Sequence, residues 1–92
     1  MPTIAENKAM WDHAYNWGDA GDEWSKNWGS PRAQWYHTLY PRIYPWLPTG
    51  TMLEIGPGFG RWTQFFIEEC QRLILVDLSQ TCIDACQERF AG

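Results

Sequence analysis

The fold is decided by residues 52–79, MLEIGPGFGRWTQFFIEECQRLILVDLS. Thr51 to Ile55 is typical of a short buried strand, and Arg61 to Cys70 is typical of a helix. Arg72 to Asp77 is an almost continuous apolar run, as expected of a parallel strand that is covered on both faces. Ser79 is suited to cap a last helix. The order β-α-β-α predicts an α/β fold with two parallel strands and a right-handed crossover.

The segment before residue 51 is rich in Trp, Tyr, Gly and Pro, and it predicts two helices. Thr3 and Glu6 have the spacing of a capping box at the start of the first helix. Ser30 is a good N-cap and Pro31 suits the first position of the second helix. Pro41 lacks a backbone N–H, so we expect it to kink or break that helix.

Five tryptophans precede the glycine-rich part of the chain, namely Trp11, Trp17, Trp24, Trp28 and Trp35. They are too many for a small polar region to expose. We favour their packing between the N-terminal helices and the sheet. The alternative is a lid over a ligand pocket, since aromatic faces attract cations. If there is such a lid, Trp28 and Trp35 are the first candidates, because they lie nearer in sequence to the glycines.

Bulk composition narrows the class of protein. The chain has 92 residues, which predicts one domain at most. Its net charge of -4 argues against a nucleic-acid backbone as the main partner but does not exclude RNA, because an acidic protein can carry a basic patch. Three cysteines and no apolar leader predict a reduced, cytoplasmic protein, and no apolar run is long enough to span a membrane. Cys82 and Cys86 show no recognisable ligand spacing with the other cysteine or the histidines, so we expect no metal site.

The glycine loop lies where the first strand turns into a helix. Gly56, Gly58 and Gly60 are spaced Gly-x-Gly-x-Gly, and glycine lets a ligand approach the main chain closely. Asp77 follows at the end of the second strand, where a carboxylate can accept hydrogen bonds from the hydroxyls of a ribose. Loop and acid together predict a nucleoside-containing ligand at the carboxyl ends of the strands. A dinucleotide fingerprint requires a third glycine at position 61, which is Arg61.

The pattern resembles the first motif of class I (Rossmann-type) S-adenosylmethionine-dependent methyltransferases, which has an acid two residues before the first glycine. Residues 75–79, LVDLS, look like the second motif of that family, and the resemblance covers about 30 residues. It implies a partial Rossmann-like parallel sheet, with residues 1–50 as a helical, aromatic lid region. Residues 51–92 are then the first half of the cofactor-binding domain. The cofactor implied is S-adenosyl-L-methionine.

The resemblance also implies roles for individual residues. The three glycines pass under the cofactor near its methionine portion, and Glu54 helps to set the loop and the amino-acid end, directly or through water. Asp77 holds the ribose and Leu78 packs on the adenine. Pro57 takes a contact role by neighbourhood only. Taken together, the predicted cofactor-binding residues are Glu54, Gly56, Pro57, Gly58, Gly60, Asp77 and Leu78.

Several questions stay open at this stage. Glu54 has a structural alternative, in which it caps the adjacent helix or pairs with Arg61, and an ion pair with an acid is our preferred explanation of Arg61. No catalytic residue is predicted, because in the family the acceptor is placed by later strands and loops. We expect the chain to be the N-terminal part of a longer enzyme with a small-molecule acceptor. The alternatives are a non-catalytic or partner-dependent nucleotide-binding fragment and an NAD-type enzyme.

Overall fold

The computed structural model describes residues 1–91. Its centre is a parallel sheet of two strands, β1 (Thr49–Ile55) and β2 (Cys70–Val76), paired in register from Thr49 opposite Cys70 to Ile55 opposite Val76. A short helix, α4 (Thr63–Phe66), lies between the strands, and α5 (Gln80–Arg89) follows the second strand. The predicted α/β class and the parallel pairing are therefore confirmed.

The N-terminal half is helical, with frequent changes of helix type. In chain order it contains α1 (Ile4–Ala9), a π-helical segment (Met10–Ala14), a 3₁₀ helix (Asp22–Trp28), α2 (Pro31–Gln34), a second π-helical segment (Trp35–Leu39), α3 (Tyr40–Ile43) and a 3₁₀ turn (Tyr44–Trp46). Helical backbone continues past Pro41 instead of breaking there. The wider π-helical turn comes directly before the proline, where the regular i to i−4 hydrogen bonds cannot all form.

The helix starts follow the local rules of capping. Thr3 and Glu6 form the expected capping box. The Ser30 hydroxyl accepts a hydrogen bond from the Ala33 N–H at 3.0 Å, and Pro31 occupies the first turn. The Ser79 hydroxyl accepts from the Cys82 N–H at 3.2 Å. All three caps were predicted correctly, because each depends on residues three positions apart.

The crossover differs from its prediction. The helix expected over Arg61 to Cys70 is regular only from Thr63 to Phe66, and β2 begins at Cys70 instead of Arg72. The Thr49 N–H donates to the Glu69 carbonyl at 2.8 Å, and the parallel hydrogen-bond ladder between β1 and β2 begins at this bond. Because that carbonyl and Cys70 already belong to the ladder, the helix cannot extend to Cys70.

The strands are not covered on both faces by the residues that the structure describes, so this expectation is wrong. Ile55 is 76% exposed, and Leu53, Ile74 and Val76 are also exposed. The alternate side chains, such as Leu73 and Leu75, lie instead beside α4 and α5. The sheet thus has one partly packed and one open apolar face within residues 1–91.

An aromatic cluster joins the N-terminal helices to the crossover. Trp35 is 2% exposed, and its ring stacks on Phe65 at 5.0 Å between centroids. Phe66 meets the same ring edge-on at 5.1 Å. Trp35 is therefore a core residue, in agreement with the packing interpretation of the N-terminal tryptophans. In residues 1–91 there is no helix of the length and apolarity needed to cross a membrane.

Candidate functional site

The glycine loop begins directly after β1 and is held by backbone hydrogen bonds. The Gly56 N–H donates to the Val76 carbonyl at 2.8 Å, which ties the start of the loop to the end of β2. The Gly60 N–H donates back to the Pro57 carbonyl at 3.0 Å, and the Gly60 carbonyl accepts from the Gln64 N–H at 3.2 Å. The loop is thus a closed turn that leads into the crossover helix.

Gly60 is required by both conformation and packing. Its φ is +97°, and a Cβ built on it would lie 2.6 Å from Cε2 of Phe90. Gly56 also has a positive φ, of +72°, but a Cβ there would meet no atom within 4 Å. Gly60 therefore serves the close contact with Phe90, whereas Gly56 leaves open space beside the main chain.

Asp77 is fixed by two backbone groups. Oδ2 accepts from the Gly58 N–H at 3.1 Å, and Oδ1 accepts from the Ser79 N–H at 2.9 Å. The first bond joins the acid after β2 to the glycine loop after β1. A carboxylate has about four lone-pair sites, so two sites remain for the hydroxyls of a ligand. The geometry thus fits a ribose without displacing either bond.

A cavity of about 580 Å³ opens at the carboxyl ends of the two strands. This volume lies within the usual range of small-ligand pockets. The cavity is bordered by both strand ends, the glycine loop and the N-terminal helices. Its lining residues are Asn7, Trp11, Trp17, Gly21, Trp24, Ile55, Gly56, Pro57, Gly58, Phe59, Arg61, Trp62, Val76, Asp77, Leu78 and Cys82.

Five of the seven predicted cofactor-binding residues line this cavity. They are Gly56, Pro57, Gly58, Asp77 and Leu78. Glu54 and Gly60 do not. Gly60 lies on the far side of the loop, against Phe90, and Glu54 points toward the crossover helix.

Glu54 has a structural partner. It is 9% exposed, and its Oε1 accepts a hydrogen bond from the Thr63 hydroxyl at 2.6 Å. Burial raises the pKa of the Glu54 carboxyl, and the hydrogen bond from Thr63 opposes that rise in part. The carboxyl thus joins the end of β1 to the first residue of α4. This bond is made to a side-chain hydroxyl and not to an N–H group of the helix, so Glu54 neither caps α4 nor pairs with Arg61.

Arg61 lines the cavity without an ion-pair partner. No carboxylate of residues 1–91 lies within 4.0 Å of its guanidinium, so the expected ion pair is wrong. The group lies over the Trp62 ring at 4.5 Å and makes a long hydrogen bond of 3.4 Å to the Ser25 hydroxyl. Burial lowers the pKa of Arg61, and the more distant Asp22 and Glu23 counteract this. A cation in this position can pair with a ligand carboxylate.

The tryptophans at the cavity are not the ones favoured from sequence. Trp28 is exposed outside the cavity and Trp35 is in the core, whereas Trp11, Trp17 and Trp24 line the pocket. Trp17 stacks on Phe59 of the glycine loop, with 4.4 Å between centroids and 7° between planes.

Sequence proximity to the loop was a poor guide, because α1 and the turn after it fold back over the strand ends. The sequence indicated an aromatic wall only through its high tryptophan content, and that content does not predict which tryptophans face the loop.

The glycine loop after β1 and the acid after β2, on which the resemblance to class I methyltransferases depends, are joined here by the hydrogen bond from the Gly58 N–H to Asp77. Comparison with known proteins confirms the resemblance. The chain is 40% and 38% identical, over 45 residues, to the proteins named ribosomal RNA small subunit methyltransferase A from two strains of Dehalococcoides mccartyi. The match covers 49% of this chain and 16% of each relative. No family model and no solved structure matches the chain.

These relatives contradict the predicted partners. A small-molecule partner and no nucleic acid were expected, but both relatives are named as methyltransferases of ribosomal RNA. The expectation depended on the net charge of -4. The charged residues are unevenly distributed along the sequence, because residues 24–53 contain Lys26, Arg32 and Arg42 and no acidic residue. Net charge alone is therefore a poor measure of the partner here.

Proposed function

We propose that this chain supplies the cofactor-binding N-terminal part of an S-adenosyl-L-methionine-dependent methyltransferase of the cytoplasm. The observation that carries the proposal is the Asp77 carboxylate. The Gly58 and Ser79 N–H groups hold it at the edge of the cavity, with lone pairs left for a ribose. The likeness to named methyltransferases supports the same activity.

The predicted cofactor-binding residues that line the cavity, together with Arg61, have the following roles in this proposal. Asp77 accepts hydrogen bonds from the ribose hydroxyls, and the exposed Leu78 beside it packs on the adenine. Gly56 and Gly58 lie under the methionine portion, and Pro57 borders it. Arg61 is the arginine that lines the cavity, and it pairs with the carboxylate at the amino-acid end of the cofactor.

Two predicted residues act at a distance from the ligand. Glu54 sets the loop indirectly, through its hydrogen bond to Thr63 at the start of α4. Gly60 permits the contact between the loop and Phe90. Both are positioning residues, since neither lines the cavity.

S-adenosylmethionine, when bound, would supply a sulfonium methyl group to an acceptor nucleophile, with S-adenosylhomocysteine as the leaving group. The chain's own contribution is orientation and the exclusion of water. Trp11, Trp17 and Trp24 form one wall of the cavity, and their faces favour a cationic ligand over a neutral one. The stack of Trp17 on Phe59 fixes that wall to the glycine loop.

For the acceptor we propose RNA, the class that the relatives' name gives for their own substrate. The acid-free, basic stretch 24–53 supports this choice. Retention of ribosomal RNA by the chain, measured in a filter-binding assay, tests it. A chain that binds S-adenosylhomocysteine but retains no RNA would refute RNA as its acceptor and leave the cofactor site standing.

Isothermal titration of the full chain with S-adenosylhomocysteine tests the cofactor site. Asp77→Ala removes charge-assisted hydrogen bonds, so we expect affinity to fall roughly 10- to 100-fold. Asp84→Ala is the matched control, because it removes an exposed carboxylate from α5 outside the cavity. No heat of binding, or equal affinities for wild type and Asp77→Ala, would sink the proposal. Preferential binding of NADH would favour a dinucleotide enzyme instead.

A further inference from the structure

Basic and acidic residues are separated along this chain. Residues 24–53 carry three basic side chains, Lys26, Arg32 and Arg42, and no acid. The remaining residues carry four basic and eleven acidic side chains, which gives +3 for the stretch and -7 for the rest. Lys26, Arg32 and Arg42 are all exposed. Residues 24–53 therefore offer a polyanion positive side chains and no carboxylate of their own.

The same stretch presents a row of neighbouring aromatic rings that meet at tilted or edge-on angles. The Arg32 guanidinium lies over the Tyr36 ring at 5.1 Å. Tyr36 meets Tyr40 at 5.7 Å between centroids, and Tyr40 meets Tyr44 at 5.9 Å. We call Arg32, Tyr36, Tyr40 and Tyr44 the tyrosine row. Its spacing of four residues places successive side chains as neighbours along one helical surface.

Three of the four members of the tyrosine row are open to solvent. Tyr36 is 48% exposed and Tyr44 is 54% exposed, and Arg32 is also exposed, whereas Tyr40 between them is half-buried. No member of the row lines the cavity that we assign to the cofactor. The row is therefore a separate surface, with aromatic rings and one arginine but no carboxylate from its own segment.

We propose that the tyrosine row is a docking surface for single-stranded RNA. The bases of the RNA stack on the tyrosines while Arg32 contacts its phosphates. Stacking without reading base edges makes the surface tolerant of sequence. The inference rests on the proposed RNA acceptor and names the surface that holds it.

Charge favours RNA over the other occupants of an exposed aromatic surface. A second copy of the chain would place like charges opposite one another in a two-fold contact. An apolar protein segment would leave Arg32 and Arg42 without partners. A single-stranded polyanion with unstacked bases satisfies both the rings and the cations.

Fluorescence anisotropy with a labelled oligouridylate of about ten nucleotides tests the surface on the full chain. We expect Tyr36→Ala and Tyr44→Ala each to weaken binding roughly tenfold, and Tyr36→Phe to bind like wild type. Arg32→Gln should lower the magnitude of the slope of log affinity against log salt concentration by about 0.7. Arg72→Gln is the control, because it removes an exposed arginine outside the stretch.

The outcomes separate this inference from the proposed function. The proposed docking surface would be overturned if the tyrosine variants and Arg32→Gln bind RNA as tightly as wild type does. It would also be overturned if wild type binds no RNA. Self-association abolished by Tyr36→Ala would assign the row to a second copy. Titration with S-adenosylhomocysteine reads the cofactor site independently, so failure there sinks the proposed function whatever the RNA result. Circular dichroism of each variant confirms that the helices remain.

Discussion

The carboxylate of Asp12 accepts a hydrogen bond from the hydroxyl of Ser79, which ties the N-terminal helices to the start of α5. The same Asp12 oxygen accepts from the Thr81 N–H at 3.4 Å. Ser79 in turn caps α5 and donates its own N–H to Asp77. One chain of hydrogen bonds therefore runs from the tryptophan wall to the acid that we assign to the ribose.

The Asp12 anchor should depend on pH. Lys8 and then Ser79 hold the pKa of Asp12 well below its usual range. Because the pKa of Asp12 is lower in the folded state than in the unfolded state, its ionised form stabilises the fold at pH values above the unfolded-state pKa of about 3.9. This contribution is lost as the pH falls from that pKa toward the folded-state pKa. We expect Asp12→Asn to lower the urea midpoint at pH 6, and this deficit to narrow at pH 3. Asp84→Asn is the control, and an unchanged deficit would contradict the assignment.

Arg61 should discriminate between two ligands that share an adenosine. S-adenosylhomocysteine carries an amino-acid carboxylate, and 5′-methylthioadenosine does not. If Arg61 pairs with that carboxylate, Arg61→Gln weakens S-adenosylhomocysteine by roughly tenfold and leaves methylthioadenosine unchanged. Isothermal titration of both ligands gives the two ratios.

A matched control for Arg61→Gln is available in Arg32→Gln. Its guanidinium also lies over an aromatic ring but lies outside the cavity. Equal losses for both ligands would show that Arg61 acts on the loop and not on the carboxylate. Asp77→Asn, in contrast, should weaken both ligands, because both contain the ribose.

Features that depend on near neighbours in sequence could be predicted well. The caps at Thr3, Ser30 and Ser79 each require a side chain and an N–H three residues away. The meeting of the glycine loop with Asp77 also followed from sequence, because carboxyl ends of parallel strands lie at one edge of a sheet. The roles of these residues toward a cofactor stay predictions.

Features that depend on how the chain folds back could not be predicted. The contact of Asp12 with Ser79 joins positions 67 residues apart, and no local pattern indicates it. The same folding back brings Trp11 and Trp17 to the cavity, whereas Trp28 does not line it. The ion pair expected for Arg61 is absent from residues 1–91, and Glu54 bonds to Thr63 instead.

The tryptophan wall can be tested with two residues of nearly equal exposure. Trp24 is 53% exposed and lines the cavity, whereas Trp28 is 49% exposed and does not. We expect Trp24→Phe to weaken S-adenosylmethionine by roughly two- to fivefold, and S-adenosylhomocysteine by less, because only the first is a sulfonium. Trp28→Phe should leave both affinities unchanged. Equal effects of the two variants, measured by titration, would contradict a role of this wall in holding a cation.

Gly60 should be the glycine of the loop that the fold tolerates least when replaced. Gly60→Ala adds strain at a φ of +97° and a clash with Phe90 at 2.6 Å, so we expect a loss of about 1–3 kcal/mol in the free energy of unfolding. Gly29 has a φ of +91° with no atom within 4 Å of a built Cβ, so Gly29→Ala measures strain alone. Gly50 has neither feature, and Gly50→Ala should be nearly neutral. The free energy of unfolding, measured in urea, should therefore be lowest for Gly60→Ala, intermediate for Gly29→Ala and highest for Gly50→Ala. If Gly60→Ala and Gly29→Ala lose equal stability, the contact with Phe90 does not constrain the loop.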